Sequence, residues 1–117
     1  MALVHAGQHF LAIESLHKTM AEQPSSIPYA RAILGAEYIR TGQLRAAVDE
    51  LEQASQLMPH EAGIQSNLAL SLCMLGEFER AEEVVHRALI LDPSMSQARS
   101  ILEFVEARKD ALNDPEP

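Results

Sequence analysis

Between Pro28 and Thr41, apolar residues at Ala30, Ile33, Leu34 and Tyr38 recur at the three- and four-residue spacing of one helix face. Gly42 follows, the residue type that ends a helix in a left-handed conformation without a Cβ penalty. A second helix is predicted from Leu44, with Ala47, Val48, Leu51, Ala54 and Leu57 along one side. Pro59 stops it, because proline cannot continue the hydrogen-bond ladder. Small residues at Gly35, Ala47 and Ala54 fall where two backbones must approach closely. The unit is a helical hairpin.

The same pattern returns 34 residues later, at the spacing of Pro59 and Pro93. That shift pairs Leu34 with Leu68, Gly35 with Ala69, Tyr38 with Leu72 and Gly42 with Gly76. It goes on to pair Leu44 with Phe78, Ala47 with Ala81, Leu51 with Val85 and Ala54 with Ala88. A second hairpin is therefore predicted, with helices over 61–75 and 78–91. At the front, Gly7, Ala12, Leu16 and Pro24 precede Gly42, Ala47, Leu51 and Pro59 by 35 residues, which implies one extra residue near Ser26-Ile27. A turn absorbs such an insertion at little cost. The chain thus opens inside a unit, with Gly7 at a helix end and most of that unit's first helix missing. At the back, Glu103 and Glu106 replace the Ala69 and Leu72 of the preceding unit. Charge there predicts a solvated closing helix, as terminal repeats require. The division expected is a partial repeat over 1–27, repeats over 28–61 and 62–95, a closing helix over 96–112, and a flexible tail over 113–117.

Composition narrows the function classes. Aromatics are 4% with no Trp, which suits helices packed through small side chains rather than a sheet. The net charge of −8 repels nucleic acid. The N-terminal residues lack the basic start and apolar run of a signal peptide, and no stretch approaches the length of a membrane span. A cytoplasmic location is the expectation. Cys73 is the single cysteine, which excludes an internal disulfide.

Leu34-Gly35, Tyr38, Gly42, Ala47, Leu51, Ala54 and Pro59, with Leu68-Ala69, Leu72, Gly76, Ala81, Val85, Ala88 and Pro93, resemble the tetratricopeptide repeat family. One departure is that the large aromatic common early in the family's first helix is Arg31 here and Gln65 in the next unit. The resemblance implies an all-α, right-handed superhelical solenoid of antiparallel helical hairpins, about seven helices in all. It also implies that the first helix of each unit lines a concave groove for an extended peptide or a partner helix. On that basis the first full unit supplies Tyr29, Ala32, Ala36, Ile39 and Arg40 to the groove. The second supplies Ser66, Asn67, Leu70, Cys73 and Met74, and the closing helix Gln97, Ser100, Ile101 and Phe104. The alternative for Ile39, Leu70 and Phe104 is inter-repeat core. Members that bind chaperone C-termini clamp a carboxylate with Lys, Arg and Asn. Here only Asn67 sits at such a place, while Ala32, Ala36, Ser100 and Ile101 occupy the others, so a small, largely apolar groove is expected.

Rival chemistry finds little support. His5 and His9 share a four-residue spacing but have no third ligand nearby, and His17, His60 and His86 are scattered. Nothing orients a base beside Cys73. Asp49-Glu50 and Glu82-Glu83 lie among Arg45, Arg80 and Arg87 as a solvated, partly paired surface. The sequence therefore predicts no catalytic, metal or cofactor residues. It predicts a protein-interaction module, an adaptor or chaperone-like scaffold with a protein or peptide partner. Two alternatives stand beside it: self-assembly as a homodimer through an uncovered N-terminal helix, and the recognition arm of a larger enzyme or transporter.

Overall fold

The computed structural model describes residues 2–113, with side chains over 7–111. Six α-helices follow one another: α1 (Ala2–Glu22), α2 (Ile27–Arg40), α3 (Leu44–Leu57), α4 (Ala62–Met74), α5 (Phe78–Leu91) and α6 (Ser96–Asn113). A single 3-10 turn, Pro24–Ser26, joins α1 to α2 at the place where the repeat register predicts one extra residue. The tail over 114–117 lies outside the described residues. The molecule measures 58 × 34 × 22 Å, with a radius of gyration of 15.7 Å. A globule of this length has about 13 Å. Among the described residues no helix is long and apolar enough to cross a membrane.

Both hairpins turn by the same device. Gly42 and Gly76 have φ of +79° and +82°. The Gly42 amide donates to the Ile39 carbonyl (3.1 Å) and the Gln43 amide to the Tyr38 carbonyl (2.8 Å). In the second hairpin the Gly76 amide donates to Cys73 (3.0 Å) and the Glu77 amide to Leu72 (2.9 Å). These paired bonds satisfy carbonyls that the helix end would leave orphaned. Gln43 and Glu77 then enter the next helix with nearly identical backbone angles.

The core is continuous across the repeats. Ala47, Val48, Leu51 and Ala54 of α3, Leu68, Ala69 and Leu72 of α4, Ala81, Val85 and Ala88 of α5, and Ala98, Ile101 and Val105 of α6 form one buried cluster. The α2–α3 crossing is close at Gly35, where an added Cβ would stand 2.5 Å from the Leu51 Cγ.

α2 packs on α4 and α4 on α6, whereas α3 and α5 do not pack on each other. They are bridged by long side chains, Arg80 to Glu52 and Arg45 to Glu77, over an opening of about 350 Å³. With one layer closed and the other splayed, the array bends toward α2, α4 and α6, which become its concave face.

The front of the chain departs from expectation. α1 is one continuous helix that passes through Gly7, and Gly7 is not among the glycines with positive φ. Glycine permits a left-handed turn but does not force one. At Gly42 and Gly76 the chain turns back along a helix it packs against, and no such helix precedes α1 among the described residues. α1 buries Ile13 and leaves Phe10 and Leu11 exposed, with Ala12 and Leu16 half-buried. Its polar attachments to α2 are His9 Nδ1 with Glu37 Oε2, and His17 Nε2 at 3.3 Å from the Tyr38 hydroxyl.

Candidate functional site: two grooves on the concave face

Two open grooves run between successive helices of the concave layer. The first, about 480 Å³, lies between α2 and α4. The second, about 420 Å³, lies between α4 and α6. They occupy the same place in successive repeats: a 34-residue step carries Ala36, Arg40, Gly63 and Asn67 of the first onto Leu70, Met74, Gln97 and Ile101 of the second.

Of the residues the sequence assigns to a groove, Tyr29, Ala32, Ala36, Arg40 and Asn67 line the first. Leu70, Cys73, Met74, Gln97, Ser100, Ile101 and Phe104 line the second. Two fall outside both. Ile39 is half-buried and packs on the core. Ser66 is buried, its Oγ accepting a hydrogen bond from Gln97 Nε2 at 2.7 Å. The same Gln97 amide reaches Asn67 Oδ1 at 3.0 Å, so α6 is pinned to α4 at the groove edge.

The first groove also contains Ile33, Glu37, Met58, Glu61, Gly63 and Ile64, which sequence reasoning did not assign to it. The sequence pattern places Ile33 on the apolar face of α2, yet it is 51% exposed, because it opens into this groove. Ile33 and Glu37 share a face with Tyr29 and Arg40 at helical spacing, so that signal was present in the pattern. Met58 and Glu61 come from the inter-repeat loop, where no periodicity points.

The grooves differ in chemistry. The first has an apolar floor with a charged rim. The Arg40 guanidinium donates to Glu37 Oε1 at 3.0 Å and is otherwise half-exposed. Glu61, at the start of α4, is exposed, makes no cap hydrogen bond and has no ion-pair partner among the described residues. The second groove has no charged residue in its lining, and Met74 and Phe104 are each 53% exposed. Its wall is stiffened from behind, where Phe104 packs against Phe78 (ring centroids 6.2 Å apart) and the Arg108 guanidinium sits 5.1 Å above the Phe78 ring. Burial pushes the Cys73 thiol above its ordinary pKa, which keeps it protonated and a poor nucleophile.

The aromatic-poor starts of α2 and α4 are resolved in two ways. Arg31 donates to Glu50 Oε2 at 2.8 Å within its own hairpin. Gln65 is buried and donates to Ser55 Oγ at 2.6 Å, bridging the two hairpins. Elsewhere the charged pairs named from sequence lie on the surface, with Glu82 bound to Lys109 at 3.0 Å. Among the described residues no group of three His, Cys, Asp or Glu could hold a metal ion. His9 is engaged by Glu37, and the His5 side chain lies outside those described.

Comparison with solved structures places this arrangement among tetratricopeptide domains. The Sgt2 domain of Aspergillus fumigatus superposes with a TM-score of 0.85 at 19% identity, over 99% of this chain and 78% of that one. The first such domain of Spaghetti (RPAP3), solved bound to the HSP90 peptide SRMEEVD, gives 0.83 at 21% identity, over 88% and 81%. MamA from Desulfovibrio magneticus RS-1 gives 0.82 at 26% identity, over 93% of this chain and 61% of that chain. No curated protein sequence matches the chain. The tetratricopeptide repeat profile matches residues 38–103, more than half of the sequence. With the 34-residue hairpins, the glycine turns and the one-sided curvature already described, the chain belongs to the tetratricopeptide repeat family.

Proposed function

We propose that the chain is a protein-interaction module that takes up a segment of a partner protein, extended or helical, along the face formed by α2, α4 and α6. The observation that carries this reading is the pair of open grooves in one register, the second of them apolar with Met74 and Phe104 half-exposed. Large apolar side chains left open in a concavity are the usual sign of a binding surface. An adaptor or chaperone-like scaffold acting in the cytoplasm is the role this reading assigns.

The RPAP3 domain's HSP90 peptide does not carry over. A terminal carboxylate needs converging cations, and among the described residues Arg40 is the one cation lining the two grooves, already bonded to Glu37. An apolar or amphipathic segment suits the surface better.

Selection of peptides from a displayed random library tests the reading. Peptides enriched on the wild-type chain should lose binding to Met74→Asp and Phe104→Asp, with circular dichroism unchanged. Binding that survives both substitutions would remove the concave face from consideration.

A second reading, self-association through α1, rests on the exposure of Phe10 and Leu11. Light scattering at high concentration tests it: a dimer dissociated by Leu11→Glu supports it, and a monomer throughout rejects it.

A further inference from the structure

The two grooves are successive copies of one position, yet the repeat step exchanges Arg40 for Met74 and Asn67 for Ile101. The concave face is thus polar and charged toward α2 and apolar toward α6. Among the described residues around the first groove, two carboxylates, Glu37 and Glu61, stand against the single guanidinium of Arg40. Glu37 is satisfied on both oxygens, by His9 and by Arg40, while Glu61 is exposed and without an ion pair among the described residues. The whole chain adds a net charge of −8, which raises the local concentration of cationic partners and repels acidic ones.

We infer that the occupant of this face is a bipartite segment: a lysine or arginine bound at Glu61, and a large apolar side chain seated between Met74, Ile101 and Phe104. This rests on the concave-face reading proposed above and adds to it the chemistry and orientation of the partner. The charged rim fixes which end of the segment lies over α2, and the apolar groove supplies the anchor. From Glu61 to Met74 the offset along α4 is roughly 20 Å at 1.5 Å per residue. Adjacent helices add roughly 9 Å across. The two side chains of the occupant therefore stand about six extended residues apart.

Fluorescein-labelled ten-residue peptides in a Ser/Gly background, with capped termini, test this by anisotropy. One carries Lys and Leu six residues apart, a second Glu and Leu, and a third Lys and Ser. The Lys/Leu peptide should bind about tenfold more tightly than Lys/Ser, which lacks the apolar anchor, and severalfold more tightly than Glu/Leu, which sets a like charge against the exposed Glu61. Raising NaCl from 50 to 500 mM should weaken it severalfold, as expected for an exposed charge contact. Glu61→Lys should reverse the preference between the Lys/Leu and Glu/Leu peptides, and Glu61→Gln should abolish the preference without reversing it. Bound Lys/Leu peptide should also slow alkylation of Cys73, which lines the apolar groove.

Equal affinity for Lys/Leu and Glu/Leu, both lost in Met74→Asp, would overturn the charge assignment and leave the concave face standing. Lys/Leu binding that ignores Met74→Asp, or no binding by any of the three peptides, would overturn the bipartite occupant, and the first of these would take the concave-face reading with it.

Discussion

In the first hairpin Gly35 sits against Leu51; a repeat later the same two places hold Ala69 and Val85, both fully buried. One methyl group moves from the second helix to the first, and the helices still close on each other. The contact is conserved as a sum of volumes rather than as residues, which is how close-packed interiors tolerate change. The hairpins differ more in what surrounds them. α4 buries Ile64, Gln65, Ser66, Leu68, Ala69, Ser71 and Leu72, whereas α2 buries Ala30, Leu34 and Gly35. α4 has a concave-layer neighbour on each side, α2 and α6, while α2 has one in α4. Two units of nearly the same pattern therefore contribute unequally: the second is the structural centre, and the first leaves Tyr29 and Ile33 exposed in the groove between α2 and α4.

The largest effect expected from this contrast is at Leu72, fully buried in the middle of α4. Leu72→Ala should cost about 2–5 kcal/mol in urea denaturation, as core Leu truncations do. Ile33→Ala, at the open groove between α2 and α4, should fall within about 1 kcal/mol, since about half of that side chain stays in water. Comparable losses at the two sites would refute the unequal roles of α4 and α2.

Gly35→Ala comes next. The new Cβ meets the Leu51 Cγ and Cδ2 at 2.5 and 2.7 Å, and Leu51 is fully buried. Overpacking of about 1–3 kcal/mol should outweigh the helix-propensity gain of about 1 kcal/mol. Adding Leu51→Val recreates the pairing of the second hairpin and should recover most of the loss. Additive single effects in that double-mutant cycle would show that the two side chains do not share the volume.

Gly42→Ala and Gly76→Ala should each cost about 1–2 kcal/mol, the penalty of a Cβ in the left-handed region. Nothing lies within 4 Å of either added Cβ, so no packing difference separates the two sites. Thermal denaturation of both variants checks this, and unequal costs would mean that the turns are not equivalent.

The smallest effect is chemical. Cys73 takes the place in α4 that Ile39 takes in α2, and burial raises its pKa. At pH 8 its alkylation by iodoacetamide, followed by mass spectrometry, should run severalfold slower than that of a free thiol. The rate should keep rising with pH beyond the usual thiol range. Because the raised pKa disfavours the thiolate in the folded state, any stability it contributes is present below the ordinary thiol pKa and is lost as pH climbs through the raised one. A rate equal to that of a free thiol at pH 8 would place Cys73 in open solvent.

By itself the sequence determined the repeat, the hairpin turns and most of the core. These rest on local chemistry: helical spacing of apolar residues, glycine at the left-handed position, proline after the second helix. They read the same whatever surrounds them, as the matching turns at Gly42 and Gly76 show. Only the tertiary structure decided which faces are covered. It carried α1 straight through Gly7, left Ile33 open, buried Ser66 under Gln97, and brought Met58 and Glu61 from a loop to the edge of a groove. Each depends on whether a neighbouring helix lies alongside, a long-range property that a one-dimensional period does not contain. The groove chemistry follows the same division: the residues on α2, α4 and α6 were legible as helix faces, but the contrast between a charged and an apolar groove emerged once those faces met.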